Sequence, residues 1–156
     1  MKIIITTLFG LETPTREDLE GIGYERSRIN VSDGVVTLDC DDASWVLDVA
    51  RVNMNVRRGE RVFFVAGEFD AEDFDSFFDG CRALPWNDFI PEGYAFVING
   101  FSRKSKLYGV PALQSLSKKA VVRSILSSRG IKEDSVLYED SAKGTVRIQF
   151  GIVNDH

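Results

Sequence analysis

Over its first 67 residues the chain runs strand, helix, strand, strand, helix, strand, and few folds accept that order. Lys2–Phe9 is rich in β-formers. Thr15–Gly21 reads as a short helix, with Thr13 or Thr15 placed to cap it, Arg16, Glu17 and Asp18 in its first turn, and Gly23 as its stop. Tyr24–Val31 and Val35–Cys40 flank Ser32-Asp33-Gly34, a hairpin signal in which glycine supplies the positive φ. Asp41 or Asp42 is placed to cap a second helix, whose apolar positions Ala43, Val46, Leu47, Ala50 and Met54 recur at helical spacing. Arg61–Ala66 is an apolar strand after Arg58-Gly59-Glu60.

The order βαββαβ is the ferredoxin-like arrangement, so the fold class expected is α+β, with residues 1–67 as its first domain. Residues 68–156 form a second, α/β part. Asp70–Leu84 reads as a helix with Phe74, Phe77, Phe78 and Cys81 on one side, and Pro85-Trp86 breaks it. Ala95–Asn99 is a strand. Pro111 opens a longer helix to about Ser128, at a first-turn position where a missing N–H costs nothing, and Gly130 ends it. Thr145–Val153 is a last strand, with Val146, Ile148, Phe150 and Ile152 alternating against polar neighbours. Nine of the eleven phenylalanines fall between Phe63 and Phe101, and their helical or alternating spacing reads as core where the two parts meet, not as a row of stacking platforms.

Several classes of function drop out early. The only histidine is the last residue, His156, so catalytic arrangements that need a positioned imidazole are excluded. Cys40 and Cys81 belong to no CxxC pair and read as reduced, buried thiols of a cytoplasmic protein, without a zinc site. No segment is long and apolar enough to span a membrane, and Lys2-Ile3-Ile4-Ile5 is too short for a signal peptide.

Charge supplies the functional signal. The chain is acidic, with a formal net charge of −5, but unevenly so. Residues 1–65 carry −3, residues 66–99 carry −7, and residues 131–156 carry −2. Between Gly100 and Gly130 stand seven cations and no acid: Arg103, Lys104, Lys106, Lys118, Lys119, Arg123 and Arg129. A charge run is commonly a solvated face; an island of this sign in an acidic chain also fits a patch that attracts a polyanion. At 100° per residue from Leu113, the residues Leu116, Ala120, Val121 and Ile125 fall on one half of the helix and Lys118, Lys119, Arg123 and Arg129 on the other. Val122 and Leu126 lie on the basic half as well, so the amphipathicity is imperfect and these two could equally contact a neighbouring domain. Before the helix, Gly100-Phe101-Ser102-Arg103-Lys104-Ser105-Lys106-Leu107 mixes hydroxyls and cations, the donors a phosphate-binding loop uses.

These residues carry a resemblance. Val97 through Leu107, then Val110-Pro111, Gln114 and Lys118-Lys119-Ala120-Val121-Val122 resemble the THUMP domain, an RNA-binding module of RNA-modifying enzymes. Asn53, Arg57, Arg61-Val62, Gly67-Glu68-Phe69, Phe74-Asp75, Phe78, Leu84-Pro85-Trp86 and Phe89-Ile90-Pro91 resemble one subgroup of its enzymes. Leu8-Phe9-Gly10-Leu11-Glu12 and Gly23-Tyr24-Glu25 match that subgroup's start. The subgroup is the bacterial 23S ribosomal RNA guanine-N2 methyltransferases, often labelled N6-adenine-specific DNA methylases. One departure is Ser102-Arg103, where members often have Ser-Leu.

The resemblance implies a ferredoxin-like domain at 1–67 and a THUMP domain at 68–156, truncated at its C-terminal end and followed in the parent protein by a methyltransferase domain that binds S-adenosylmethionine. No Asn-Pro-Pro motif or glycine-rich fingerprint occurs here, so no catalytic or cofactor-binding residue is expected in this chain. It implies RNA, 23S rRNA in particular, and the parent's own C-terminal domain as partners. Arg103, Lys104, Ser105, Lys106, Gln114, Lys118, Lys119 and Arg123 are the candidate RNA-binding residues. An exposed strand edge left by the truncation is also able to pair with a second copy.

Three alternatives accompany this reading. The acidic 66–99 segment could dock the catalytic domain or another protein, making the chain an interaction module. DNA could be the substrate, as for an adenine methylase. Base stacking on the front half, as in an RRM, is disfavoured because Val35–Cys40 carries no aromatic residue.

Overall fold

The structure, a computed structural model, describes all of residues 1–156 and divides into two compact units, Met1–Val65 and Ala66–His156. In the first unit, β1 (Lys2–Thr6), α1 (Glu12–Gly21), β2 (Ile29–Ser32), β3 (Val35–Asp39), α2 (Trp45–Asn55) and β4 (Arg61–Phe64) follow in the expected order. The four strands form one antiparallel sheet in the order β2-β3-β1-β4. Period-two burial along the central strands puts Ile3, Ile5, Val36 and Leu38 on one face, where Leu19 of α1 and Val52 of α2 cover them. The β2–β3 turn holds Gly34 at φ +71°.

Several local expectations are corrected. α1 begins at Glu12, not Thr15, so neither Thr13 nor Thr15 caps it; Thr15 is buried and its hydroxyl bonds Thr7 at 3.4 Å. Glu12 ties the helix start to the hairpin. Its carboxylate accepts the N–H of Gly34 at 2.9 Å and of Gly10 at 2.8 Å, and these bonds hold the carboxyl below its usual range. A 3-10 turn, Arg26–Arg28, replaces the first half of the expected second strand. α2 starts after Ser44, while Asp42 pairs with the N-terminal ammonium. The expected buried face of α2 is also wrong. Val46, Leu47 and Met54 are exposed, whereas Val49, Val52 and Val56 pack on the core. Both stripes of this helix are apolar, so periodicity alone selects the wrong one.

Asp48 lies on the packed side of α2 and accepts the Tyr24 hydroxyl at 2.7 Å. Burial would push this carboxyl up, but the hydroxyls of Tyr24 and Ser44, with Arg28 and Arg51 nearby, hold it below its ordinary range. Tyr24 is pushed up to about 12, by burial first and by Asp48 second.

In the second unit, α3 (Phe74–Ala83), α4 (Trp86–Phe89), β5 (Tyr94–Arg103), α5 (Val110–Ser128) and β6 (Asp140–Val153) build a two-stranded parallel sheet with helices on one face. α3 is shorter than expected and starts at a capping box: Asp73 accepts the Ser76 N–H at 2.7 Å, and Ser76 Oγ accepts the Asp73 N–H at 3.2 Å. Phe77 and Cys81 are buried as the spacing requires, while Phe74 is exposed. Pro85 does end α3, but one further turn, α4, follows and buries Trp86, whose indole N–H donates to the Cys81 carbonyl at 2.6 Å. Burial raises both thiols, Cys40 and Cys81, to about 11. No helix is long and apolar enough to cross a membrane.

α5 fills the centre of this unit. Gly109 precedes it at φ +94°, and Pro111 sits in the first turn. Leu113, Ala120, Val121 and Ile125 are buried, and so is Leu126, at 0% exposure, although its angle falls on the basic half. The chain doubles back there: Gly130 takes φ +67° and Ile131 N–H donates to the Leu126 carbonyl at 2.9 Å, so the helix end is enclosed on more than one side.

Two outcomes follow. Leu126→Ala is expected to cost about 2–5 kcal/mol in urea unfolding, as for a buried leucine; a loss under about 1 kcal/mol, as for a solvated face, would contradict this packing. The raised Tyr24 value stabilises the fold up to the ordinary tyrosine pKa, near pH 10, and that contribution is lost as pH rises through about 12. Absorbance titration of tyrosinate should therefore show one of the four tyrosines ionising late, and Tyr24→Phe should remove that late step.

Candidate nucleic-acid interface

The eight residues singled out from the sequence do not form one patch. β5 runs on to Arg103, so what reads as a loop from Gly100 is strand as far as that residue. Its even positions Phe96, Ile98 and Ser102 turn toward the helices, and its odd positions Val97, Asn99, Phe101 and Arg103 are exposed. Arg103 is thereby fixed on the open face of the sheet. The remaining residues of the segment, Lys104, Ser105 and Lys106, form a turn with Lys104 at φ +52°. Lys106 is engaged there. Its ammonium lies 2.8 Å from Glu72, which raises its pKa, and its N–H donates to Asp155 at 2.8 Å. Asp155 is held below its ordinary range by the Ser105 hydroxyl and that N–H.

Gln114, Lys118, Lys119 and Arg123 do come together. With Ile98, Ser115, Val122, Glu133 and Asp134 they line a groove between α5, the edge of β5 and the turn after α5. Helical spacing carries this grouping, since positions 115, 118, 119, 122 and 123 share one side. Gln114 braces the wall, donating from Nε2 to the Ile98 carbonyl at 3.2 Å.

Acids remote in sequence reach into this acid-free stretch. Lys118 pairs with Glu139 at 3.3 Å and lies 5.1 Å over the Phe96 ring. Arg123 approaches Glu133 at 4.0 Å and lies 5.7 Å over Phe78, while Arg82 pairs with the same Glu133. Arg129 donates to the Asn87 side chain at 2.8 Å. Lys119, exposed on the groove, has no carboxylate partner, and neither do Arg103 and Lys104. The pairs of Lys118 and Arg123 are only partly buried, and that of Arg123 is at the 4.0 Å limit of contact; solvent-screened pairs are worth little, so both cations remain available to a stronger anion. The groove therefore offers one free cation and two exchangeable ones, held on a helix whose other side is locked in the core.

Comparisons with known proteins bear on the two domains. Residues 2–63 match the RlmL ferredoxin-like domain and residues 71–134 match the THUMP domain. The chain is 32% identical over 146 residues to the Bacillus subtilis (strain 168) protein named "Putative RNA methyltransferase YpsC", covering 94% of this chain and 36% of that protein. A Listeria monocytogenes str. 4b F2365 crystal structure, described as a predicted N6-adenine-specific DNA methylase, is 30% identical with a TM-score of 0.85. The match covers 99% of this chain and 38% of that one. The crystal structure of SMU.472, described as "a putative methyltransferase complexed with SAH", is 26% identical with a TM-score of 0.88, over 99% of this chain and 39% of that one. The chain thus spans somewhat more than a third of the length of these relatives. Sheet order, helix placement and these matches together show that the chain belongs to the family in which an RlmL-type ferredoxin-like domain is followed by a THUMP domain.

Proposed function

We propose that this chain is the RNA-binding front part of an S-adenosylmethionine-dependent ribosomal RNA methyltransferase. In this reading it holds structured 23S rRNA while a C-terminal domain of the same polypeptide methylates guanine at N2. The observation that carries the RNA reading is the groove along α5, where Lys119 stands unpaired beside Lys118 and Arg123 in a THUMP domain. Cations so arranged contact phosphates, which fixes the orientation of an RNA without reading its bases. The domain boundary lies between residues 65 and 68 in this reading, and the protein acts in the cytoplasm, where ribosomes are modified.

In this reading S-adenosylmethionine is not held by these residues. The turn from β5 into α5 contains a single glycine, Gly109, in place of a glycine-rich strand–turn–helix fingerprint. The cofactor, which the SAH-bound relative supports for the parent, accordingly belongs to the part that would follow His156. The Listeria monocytogenes relative's description favours DNA as a second reading. A homodimer through the free strand edges of β5 or β6 is a third element of the proposal, since neither strand has a second neighbour.

Binding of a 23S rRNA hairpin and of a DNA hairpin of the same sequence should be compared at several salt concentrations. Lys118→Glu/Lys119→Glu is expected to weaken RNA binding and flatten its salt slope by about 2, one for each phosphate no longer neutralised. Unchanged affinity and slope would refute the groove; tighter binding of DNA would replace the substrate. Loss of a single N2-methylguanine from 23S rRNA in cells lacking the parent gene, read by mass spectrometry, tests the modification itself.

A further inference from the structure

The open face of the β5–β6 sheet is the most unusual surface of the second unit. Parallel strands are ordinarily covered on both faces. Here the helices cover one face, and the outward positions of the other lie bare. The register sets Val97 beside Arg147, Asn99 beside Gln149, Phe101 beside Gly151 and Arg103 beside Val153. This set contains no carboxylate. Arg103 and Arg147 have no ion-pair partner, and the two side-chain amides make no hydrogen bond within the chain.

Phe101 lies at the centre. It is 46% exposed, although nothing in the core asks for an aromatic there. Its ring leans across to Gly151: a Cβ at that glycine would stand 2.8 Å from Phe101 Cζ. On the covered face the neighbouring pair is reversed, with Phe150 lying over Gly100, where a Cβ would meet the ring at 2.5 Å. One of these two rings is core, and the other presents a flat apolar surface to solvent.

We propose that this face binds unpaired nucleotides of a single-stranded RNA segment, with a base stacked on Phe101, Asn99 and Gln149 bonding base edges, and Arg103 and Arg147 meeting phosphates. The proposal rests on the RNA-binding reading of the THUMP unit and names the part of the RNA that this second surface takes. Ring, amides and uncompensated guanidinium groups in one row are what a single strand requires. Charge argues against a second copy on this face, because two-fold self-pairing would bring Arg103 and Arg147 against like charges.

The test uses the full 156-residue chain with a fluorescein-labelled single-stranded RNA 12-mer and the same 12-mer annealed to its complement. Phe101→Ala should weaken single-strand binding about 5- to 100-fold, the loss expected for one stacked base, with an unchanged salt slope and unchanged duplex binding. Phe101→Tyr should retain both affinities. Arg103→Gln/Arg147→Gln, which leaves the ring and its glycine in place, should flatten the single-strand salt slope by about 1.4. Undiminished single-strand binding by Phe101→Ala, or an unchanged slope in the arginine pair, overturns the proposal. So does a sedimentation shift from dimer to monomer in Phe101→Ala, which would assign the face to self-association. Loss of duplex binding in Lys118→Glu/Lys119→Glu, with Phe101→Ala silent, leaves the α5 groove standing and removes this surface. The opposite pattern removes the groove and leaves this surface.

Discussion

The second unit depends on the parallel pairing of β5 with β6. The strands lie some forty residues apart in sequence, and everything between them, α5 included, must pass over one face of the sheet for the two to meet in register. That crossover clamps α5 and sets which of its sides is dry. It also brings Glu133 and Glu139, on the return path to β6, against the cations of α5. The Gly100–Phe150 and Phe101–Gly151 pairs sit in the middle of this ladder, where each ring covers the backbone of the glycine opposite. A side chain at either glycine would push a ring away, so the ladder, the helix packing and the groove share one local constraint.

Much of this is legible in the sequence because the signals are local. Asp33-Gly34, Pro111 and Gly130 mark a turn, a helix start and a helix end by backbone geometry alone, and the structure keeps all three. Alternation along 146–152 identifies the covered side of β6. The errors arise where two local answers are equally good. α2 has an apolar stripe on either side, and only the sheet beneath decides for Val49, Val52 and Val56. Leu126 falls on the basic half of the wheel yet is buried, because a helical wheel has no knowledge of a chain that turns back at Gly130. Arg103 reads as part of a loop because Gly100 resembles a strand end, whereas here glycine makes room for Phe150 and the strand continues.

The candidate site is legible in outline and misread in arrangement for the same reason. Absence of acids between 100 and 130 is a statement about neighbours in sequence, and charges interact through space. Glu72, Glu133, Glu139 and Asp155 all lie outside that window, yet each meets a residue within it. Among the residues of the groove, that leaves Lys119 as the cation without a partner. Helical periodicity brings Lys118, Lys119 and Arg123 to one groove, because spacing on one helix survives whatever the tertiary fold does, while Arg129, on the same half of the wheel, turns to Asn87 instead.

Strand geometry explains how one short segment can serve two surfaces. With a period of two, β5 gives Ile98 to the groove wall and Asn99 and Phe101 to the open face, and neither set constrains the other. The two surfaces also differ in physics. In the proposed function, contacts from Lys119 and its neighbours to phosphates would act through counterion release and weaken steeply with salt. Stacking on a phenylalanine ring does not depend on salt and requires a base free of its own helix. Neither mode reads a long sequence. A front part built this way would select RNA by the junction of paired and unpaired segments, and would leave the choice of nucleotide to whatever active site that junction is brought to.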